Sequence, residues 1–328
     1  MNKSKTVEYG KYGYMFIAPF FIVYLIFQLY PLVYTVWLSF VENYYKGLQQ
    51  IGPNFVGLNN YLSVLIDTDN NYQIVEGAKF LDTMTVMSIK NTLVMWIFNF
   101  VPQILLSLLL AAWFTDTTVK LKGQGAFKVI MFMPNIITAS TIAVLFYSLF
   151  NNSGPFTSVL RNLHIISQNY DFMESKAGTI GLIAFMQFWM WYGNTMIVLI
   201  AGILGISPSL YEAAMVDGAN SRQEFFKITL PLLKPILQFS LVTSAIGGLQ
   251  MYDIPALFNV NNGVGQPGRV SHTVTMMIRE VAFSQNPDYG YAGAISVILF
   301  ICTMIISMIF FIATKDRPDK QKHAVKKA

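Results

Sequence analysis

Polar side chains are scarce in the apolar stretches of this chain, and their spacing points to hydrogen bonding rather than to catalysis. Gln187, Trp191 and Asn194 fall at i, i+4 and i+7, which places them along one face of a helix. Thr243, Gly247 and Gln250 repeat that spacing about fifty residues later. Amides and hydroxyls exchange hydrogen bonds with solute hydroxyls, and an indole ring stacks on the C–H face of a sugar. The same residue types also tie helices together and allow them to pack closely, and both readings stay open. The residues that could do other chemistry are isolated. His164, His272 and His323 share no metal-ligand spacing, and the single Cys302 lies inside the last apolar stretch, so no intrachain disulfide forms. No G-x-x-x-x-G-K-[ST] phosphate loop occurs, and the nearest material, Gly123 to Lys128, has the wrong spacing. Catalytic residues, a metal site and a cofactor are therefore not expected in this chain.

The elements that carry these residues are membrane helices. Of the 328 residues 54% are apolar and 12% charged, whereas a soluble domain has about a quarter charged. A bilayer core takes roughly 20 apolar residues per helix, and six uncharged stretches are read as spans: 14–40, 91–114, 129–150, 177–206, 236–252 and 291–314. Pro19, Pro31 and Pro102 offer kinks that absorb excess length. None of the six stretches holds a charged side chain, which argues against ion-coupled transport, since ion and proton relays need intramembrane carboxylates or bases. A neutral solute fits such a path, and sugars are neutral solutes rich in hydroxyls. The first stretch is long and lacks a small-residue cleavage site, so it is expected to be a retained helix rather than a signal peptide.

Orientation follows from the cations. Fifteen of the 22 Lys and Arg fall before the first span, between spans two and three, in the loop after span four and in the tail from 315 to 328, and cytoplasmic flanks carry such an excess. Both termini and the loop 207–235 are expected inside, and the loops near 41–90, 151–176 and 253–290 outside. The net charge of +5 reflects topology and attraction to anionic membrane lipid, with no nucleic-acid partner implied. The chain reads as one transmembrane domain, 1–328, in which 41–90 forms a small extracytoplasmic cap and the basic tail is disordered by default.

The loop 207–235 is rich in helix signals. Ser207-Pro208 offers an N-cap with Pro at the first helical position, Ser209 with Glu212 a capping box, and Gly218 a left-handed helix end. Ser221 with Glu224 offers a second box, and Pro231 and Pro235 interrupt the helical stretch before the next span. Two short helices joined at Gly218 are expected, the first with little bulk at Ala213 and Ala214, so that another protein can approach closely.

From Glu212-Ala213-Ala214 through Asp217-Gly218-Ala219 to Ile228-Thr229-Leu230-Pro231, this loop resembles the cytoplasmic signature of permease subunits of binding-protein-dependent ABC importers. Ala18-Pro19, Tyr30-Pro31-Leu32-Val33-Tyr34, Phe55 to Tyr61, Phe132-Met133-Pro134, Thr273 to Ala282 and Tyr289 to Ala294 extend the resemblance to the sugar type, the maltose-type and glycerol-phosphate-type first permease. Departures are Phe146 where Trp is common, Thr157 where Asn is frequent, and the looser stretch Asn259 to Gly268. The resemblance implies an all-α integral membrane fold, six transmembrane helices with a cytoplasmic coupling helix, known as the type I importer permease fold. It implies that Glu212, Ala213, Ala214, Asp217 and Gly218 seat in an ATPase, and that the helices before and after the loop contribute solute contacts. The implied partners are a second permease subunit, two ATPase subunits that bind ATP and Mg, an extracytoplasmic solute-binding protein and a sugar substrate, in the bacterial inner membrane. The rival readings are an ATP-independent secondary transporter or channel for a small neutral solute and, more remotely, a membrane enzyme acting on lipid-linked sugar.

Overall fold

The computed structural model describes residues 10–69, 71–116, 122–258, 265 and 267–315. Most of the basic tail, the cations Lys3, Lys5 and Lys120, His323 and most of the stretch 259–268 lie outside the described residues. The chain is predominantly helical. In order it forms α1 (Gly10–Tyr24), a π turn, α2 (Tyr30–Leu38), β1 (Val41–Lys46), β2 (Gln49–Phe55), α3 (Asn59–Leu65), α4 (Met84–Thr115), α5 (Gln124–Phe132) and α6 (Ala139–Phe150). There follow α7 (Pro155–Asn162), α8 (Lys176–Leu204), α9 (Pro208–Val216), α10 (Ser221–Glu224), a second π turn, α11 (Leu230–Leu232), α12 (Lys234–Leu249), α13 (Asp253–Phe258), α14 (Val274–Phe283) and α15 (Tyr289–Thr314). Tyr12–Leu38, α4, α8 and α15 are long and apolar enough to cross a membrane. Two bent pairs, Gln124–Ile136 with Ala139–Asn162 at 92° and Ser221–Leu232 with Lys234–Phe258 at 67°, raise that number to six if each is one span.

Where the sequence reads as one domain, the contacts divide the chain into two compact units, one of residues up to 83 with 278–298, the other of 84–277 with the residues from 299 on. In the first unit the cap is an antiparallel hairpin of β1 and β2, closed at Gly47 and Leu48 with φ +64° at Gly47. Asn60 Nδ2 donates to the carbonyls of Ser39 (3.1 Å) and Val41 (2.9 Å), which fixes α3 against the strand. Asp288 caps α15 by accepting from the Tyr291 N–H at 2.8 Å. Burial pushes its carboxyl above the usual range, while the N–H groups of Tyr291 and Gly290 pull the other way.

The second unit holds the candidate site. Its main packing pair is α4 against α8, filled by Leu110, Ala111, Phe114, Met196, Leu199 and Ile203. Met95, Trp96, Ile142, Phe146, Ile183, Met186 and Leu249 build a neighbouring cluster. Lipid is as apolar as these side chains, so association rests on close packing and on polar ties. Gln103 Nε2 donates to Thr195 Oγ1 at 2.8 Å, and Ser107 Oγ donates to the Tyr192 carbonyl at 2.7 Å. α4 begins at Met84, seven residues before the apolar run, because helical hydrogen bonding does not need apolar side chains; Ser88 there lies 3.0 Å from His272 Nδ1.

The stretch expected as a single third span, 129–150, is not one rod. Met133–Ile136 form a 3₁₀ turn containing Pro134, which has no N–H to donate, and Thr138 Oγ1 then caps α6 by accepting from Thr141 N at 3.4 Å. The expected fifth span, 236–252, is followed by α12 as far as Leu249, and the 67° bend falls before it, between Leu232 and Lys234.

Candidate functional site

The loop after α8 is a small, tightly capped device. Pro208 occupies the first turn of α9 after Ser207, where the missing N–H costs nothing, although Ser207 makes no side-chain cap bond. At the other end Gly218 N donates to the Met215 carbonyl (3.1 Å) and Ala219 N to the Ala214 carbonyl (2.9 Å), the paired bonds of a Schellman motif. That motif requires a left-handed residue, and Gly218 has φ +75°. The box expected at Ser221 and Glu224 forms one residue earlier: Gln223 N donates to Asn220 Oδ1 and Asn220 N to Gln223 Oε1, both at 2.9 Å. Asn220 holds the extended backbone that an N-cap needs, which leaves Ser221 inside the helix.

The five residues expected to meet the ATPase divide by exposure. Glu212, Ala213, Asp217 and Gly218 are exposed, whereas Ala214 is 9% exposed and faces its own chain. Small size at 214 therefore serves internal packing, and small size at 213 leaves the outer face low. Val216, at 89% exposure, extends that outer face with apolar surface that the sequence reading passed over, whereas Met215 lies on the side of α9 that faces a cavity. Behind α9 lies a cavity of about 630 Å³, lined by Trp113 and Leu109 of α4, Ile203 and Leu204 of α8, and Tyr211, Glu212, Met215 and Phe225 of the loop. Tyr211 Oη lies 2.9 Å from Thr229 Oγ1 and ties α9 to the turn that leads into α12.

A second cavity, of about 210 Å³, lies among α4, α8 and α12. Five of the six residues read as a solute path line it: Gln187, Trp191, Asn194, Thr243 and Gly247. Gln250 does not. Gln250 is the C-cap of α12, its N–H donating to the Ile246 carbonyl at 3.3 Å, and it is exposed. Gln187 is 8% exposed, Trp191 46%, and Asn194, Thr243 and Gly247 are exposed. Thr243 Oγ1 donates to the Phe239 carbonyl at 2.8 Å, which leaves its lone pairs toward the cavity. Gly248 also lines it, and a Cβ there would run into the Trp96 indole, so only glycine lets α12 approach α4 this closely.

Asn99, Gln103, Thr195, Ser240 and Ser244 complete the polar lining, and the sequence reading missed all of them. Asn99, Gln103 and Ser107 recur every four residues in the apolar run of α4, the same signal that singled out α8. No charged side chain among the described residues lines this cavity. Among the described residues no group of three His, Cys, Asp or Glu is placed to hold a metal ion.

Residues 91–316 match the family model described as binding-protein-dependent transport system inner membrane component. The chain belongs to this family. It is an inner-membrane transport component, and relatives are permeases along almost their whole length. The lactose transport system permease protein LacF of Rhizobium radiobacter is 27% identical over 309 residues, covering 94% of this chain and 96% of that protein. The arabinooligosaccharides transport system permease protein AraP of Bacillus subtilis is 29% identical, covering 90% and 86%. The trehalose/maltose transport system permease protein MalF of Thermococcus litoralis is 28% identical, covering 97% and 99%. The fold of this inner-membrane component is also that of a solved bacterial ABC transporter involved in import of the acidic polysaccharide alginate, with a TM-score of 0.70 at 20% identity over 92% of this chain and 94% of that one.

Proposed function

We propose that this chain is the permease subunit of an ATP-driven importer for a neutral carbohydrate, most simply an oligosaccharide, and forms half of the translocation pathway. The observation that carries the reading is the α4–α8–α12 cavity, whose described lining joins amides and hydroxyls to one half-exposed indole, Phe239 and Val198, with no charge among them. Such a lining offers donors and acceptors to solute hydroxyls and a flat face to a pyranose ring. The sugars named for LacF, AraP and MalF support the same substrate class.

The exposed face of α9, with Ala213 and Val216 beside Glu212, Asp217 and Gly218, docks in a cleft of a separate ATPase. Two ATPase subunits bind ATP with Mg, a second permease supplies the other half of the path, and an extracytoplasmic binding protein delivers the solute. Both termini and the coupling loop then lie in the cytoplasm. Six spans result if each bent pair crosses once. ATP and the loaded binding protein favour the outward-open state and their release favours the inward-open one, so each ligand acts only through its unequal affinity for the two states. The tie between Tyr211 and Thr229 gives movement of α9 a direct route into α12.

Reconstituted into vesicles with these partners, the importer should accumulate labelled lactose, maltose or arabinotriose only when ATP is supplied on the cytoplasmic side and binding protein on the other. Accumulation driven by a proton or sodium gradient without ATP would overturn the reading in favour of a secondary transporter.

A further inference from the structure

We infer that Asn99 of α4 is a specificity-determining residue, a hydrogen-bond acceptor for a solute hydroxyl on a third wall of the pathway beside α8 and α12. This rests on the reading of the α4–α8–α12 cavity as the solute path. Asn99 lines that cavity, is 5% exposed, and its Oδ1 has no hydrogen-bond partner among the described residues. Ser240 of α12, in the same lining, is 6% exposed and its Oγ is unpaired as well. Buried side-chain acceptors are seldom left empty, because desolvation without a donor is costly.

Its neighbours have other duties. Gln103, one turn on, donates its amide to Thr195 at 2.8 Å and holds α4 to α8. Trp96, one turn back, lies against Gly248 and sets the spacing of α4 and α12. Among the described residues neither a cation nor a carboxylate faces Asn99 across the cavity, so the group that completes its carbonyl is taken as neutral, with an O–H or N–H to donate. A sugar hydroxyl has that chemistry. Oδ1 is enclosed in this state, so the contact forms when α12 shifts against α4 during the transport cycle. A solute lacking the matching hydroxyl leaves Oδ1 unsatisfied, and discrimination follows from that difference rather than from size.

The test uses the full importer in membrane vesicles with Cys302→Ala as background. Variants Asn99→Cys, Thr243→Cys and Ile97→Cys, the last on an exposed apolar position of α4, are treated with a methanethiosulfonate carrying a quaternary ammonium, which travels through water and not through lipid. Labelling is compared without nucleotide and with ATP plus vanadate. The Asn99→Cys thiol should react in one of the two states, while the Ile97→Cys thiol reacts in neither. If the Thr243→Cys thiol reacts and the Asn99→Cys thiol stays inert in both states, α4 is no wall and the inference falls. If both stay inert, the solute-path reading itself fails.

Uptake then separates contact from packing, with lactose, maltose and arabinotriose as probes. For the sugar that is transported, Asn99→Leu should raise KM on the order of tenfold, the effect of one lost hydrogen bond, and Asn99→Ser, which restores an acceptor, should recover part of it. An unchanged KM with only a reduced maximal rate would assign Asn99 to packing and overturn the inference.

Discussion

One backbone angle decides how the loop between α8 and α12 turns. Gly218 has φ +75°, where a side chain with a Cβ is strained by about 1–2 kcal/mol and a β-branched one by more. Open space surrounds it, so a substitution there meets strain without a clash and the rest of the chain should fold. Gly218→Val is accordingly expected to displace Asp217 and the exposed end of α9, and to lower uptake severalfold while the importer still assembles. Glu212→Gln, which changes charge on the same exposed face, should weaken the coupling of ATP hydrolysis to uptake while solute binding by the partner protein is unaffected. Uptake and ATPase rates measured on complexes of confirmed subunit composition check both, and wild-type uptake in the two variants would refute the role assigned to the loop. The glycine was readable in the sequence because few residues besides glycine end a helix this way. The inward turn of Ala214 was not, since two adjacent alanines carry no mark of which one faces the chain's own core.

At the scale of elements, proline placement explains two irregular turns. The segment Leu25–Leu29 is a π turn in which Tyr30 N donates to the Leu25 carbonyl, one residue before Pro31. Phe225–Thr229 repeats this, with Leu230 N donating to the Phe225 carbonyl one residue before Pro231. A proline inside a helix removes one N–H and crowds the carbonyl four residues back, and widening the preceding turn relieves both. The second π turn contains Thr229, the partner of Tyr211. Pro231→Ala should restore regular hydrogen bonding, remove the wide turn and rotate Thr229 away from Tyr211. Uptake should fall although the helix itself becomes more favourable, and Tyr211→Phe should give a similar decrease. Equal uptake by wild type and Pro231→Ala would show that the turn has no part in coupling. The prolines were visible in the sequence, but their effect depends on whether the helix breaks or widens, and that is decided by the packing of neighbouring helices.

For the molecule as a whole, if the α4–α8–α12 cavity is the proposed solute path, the absence of charge among its described lining residues should act as a filter. A carboxylate entering a cavity lined by amides, hydroxyls and an indole loses hydration with no cation to replace it, a cost of at least several kcal/mol. Replacing the transported sugar by its uronic acid should therefore abolish uptake, with a loss of a hundredfold or more. Inhibition of uptake by the uronic acid at equal concentration, in the absence of its own transport, would show entry into the cavity and contradict the filter. The fold shared with an importer of an acidic polysaccharide does not argue otherwise, because a fold positions helices and the side chains along them set the charge of the path.

Long apolar runs, a lack of charges within them and the order of helix signals between residues 207 and 235 needed no tertiary information. Hydrophobic length, proline and glycine act locally, so they can be read along the chain, and the i, i+4, i+7 spacing on α8 already put Gln187, Trp191 and Asn194 on one face. What only packing decided is which faces meet. Asn99 and Gln103 became part of the lining because α4 lies against α8 and close to α12, whereas Gln250, at the C-cap of α12, lies outside it. The bend between Pro134 and Thr138 is local in origin but is also held by a neighbour distant in sequence, since Asn135 Nδ2 donates to the Met190 carbonyl at 3.2 Å. In an apolar solvent nearly every helical face is acceptable alone, and the choice among them is made by close contact and by the few polar groups that must find partners.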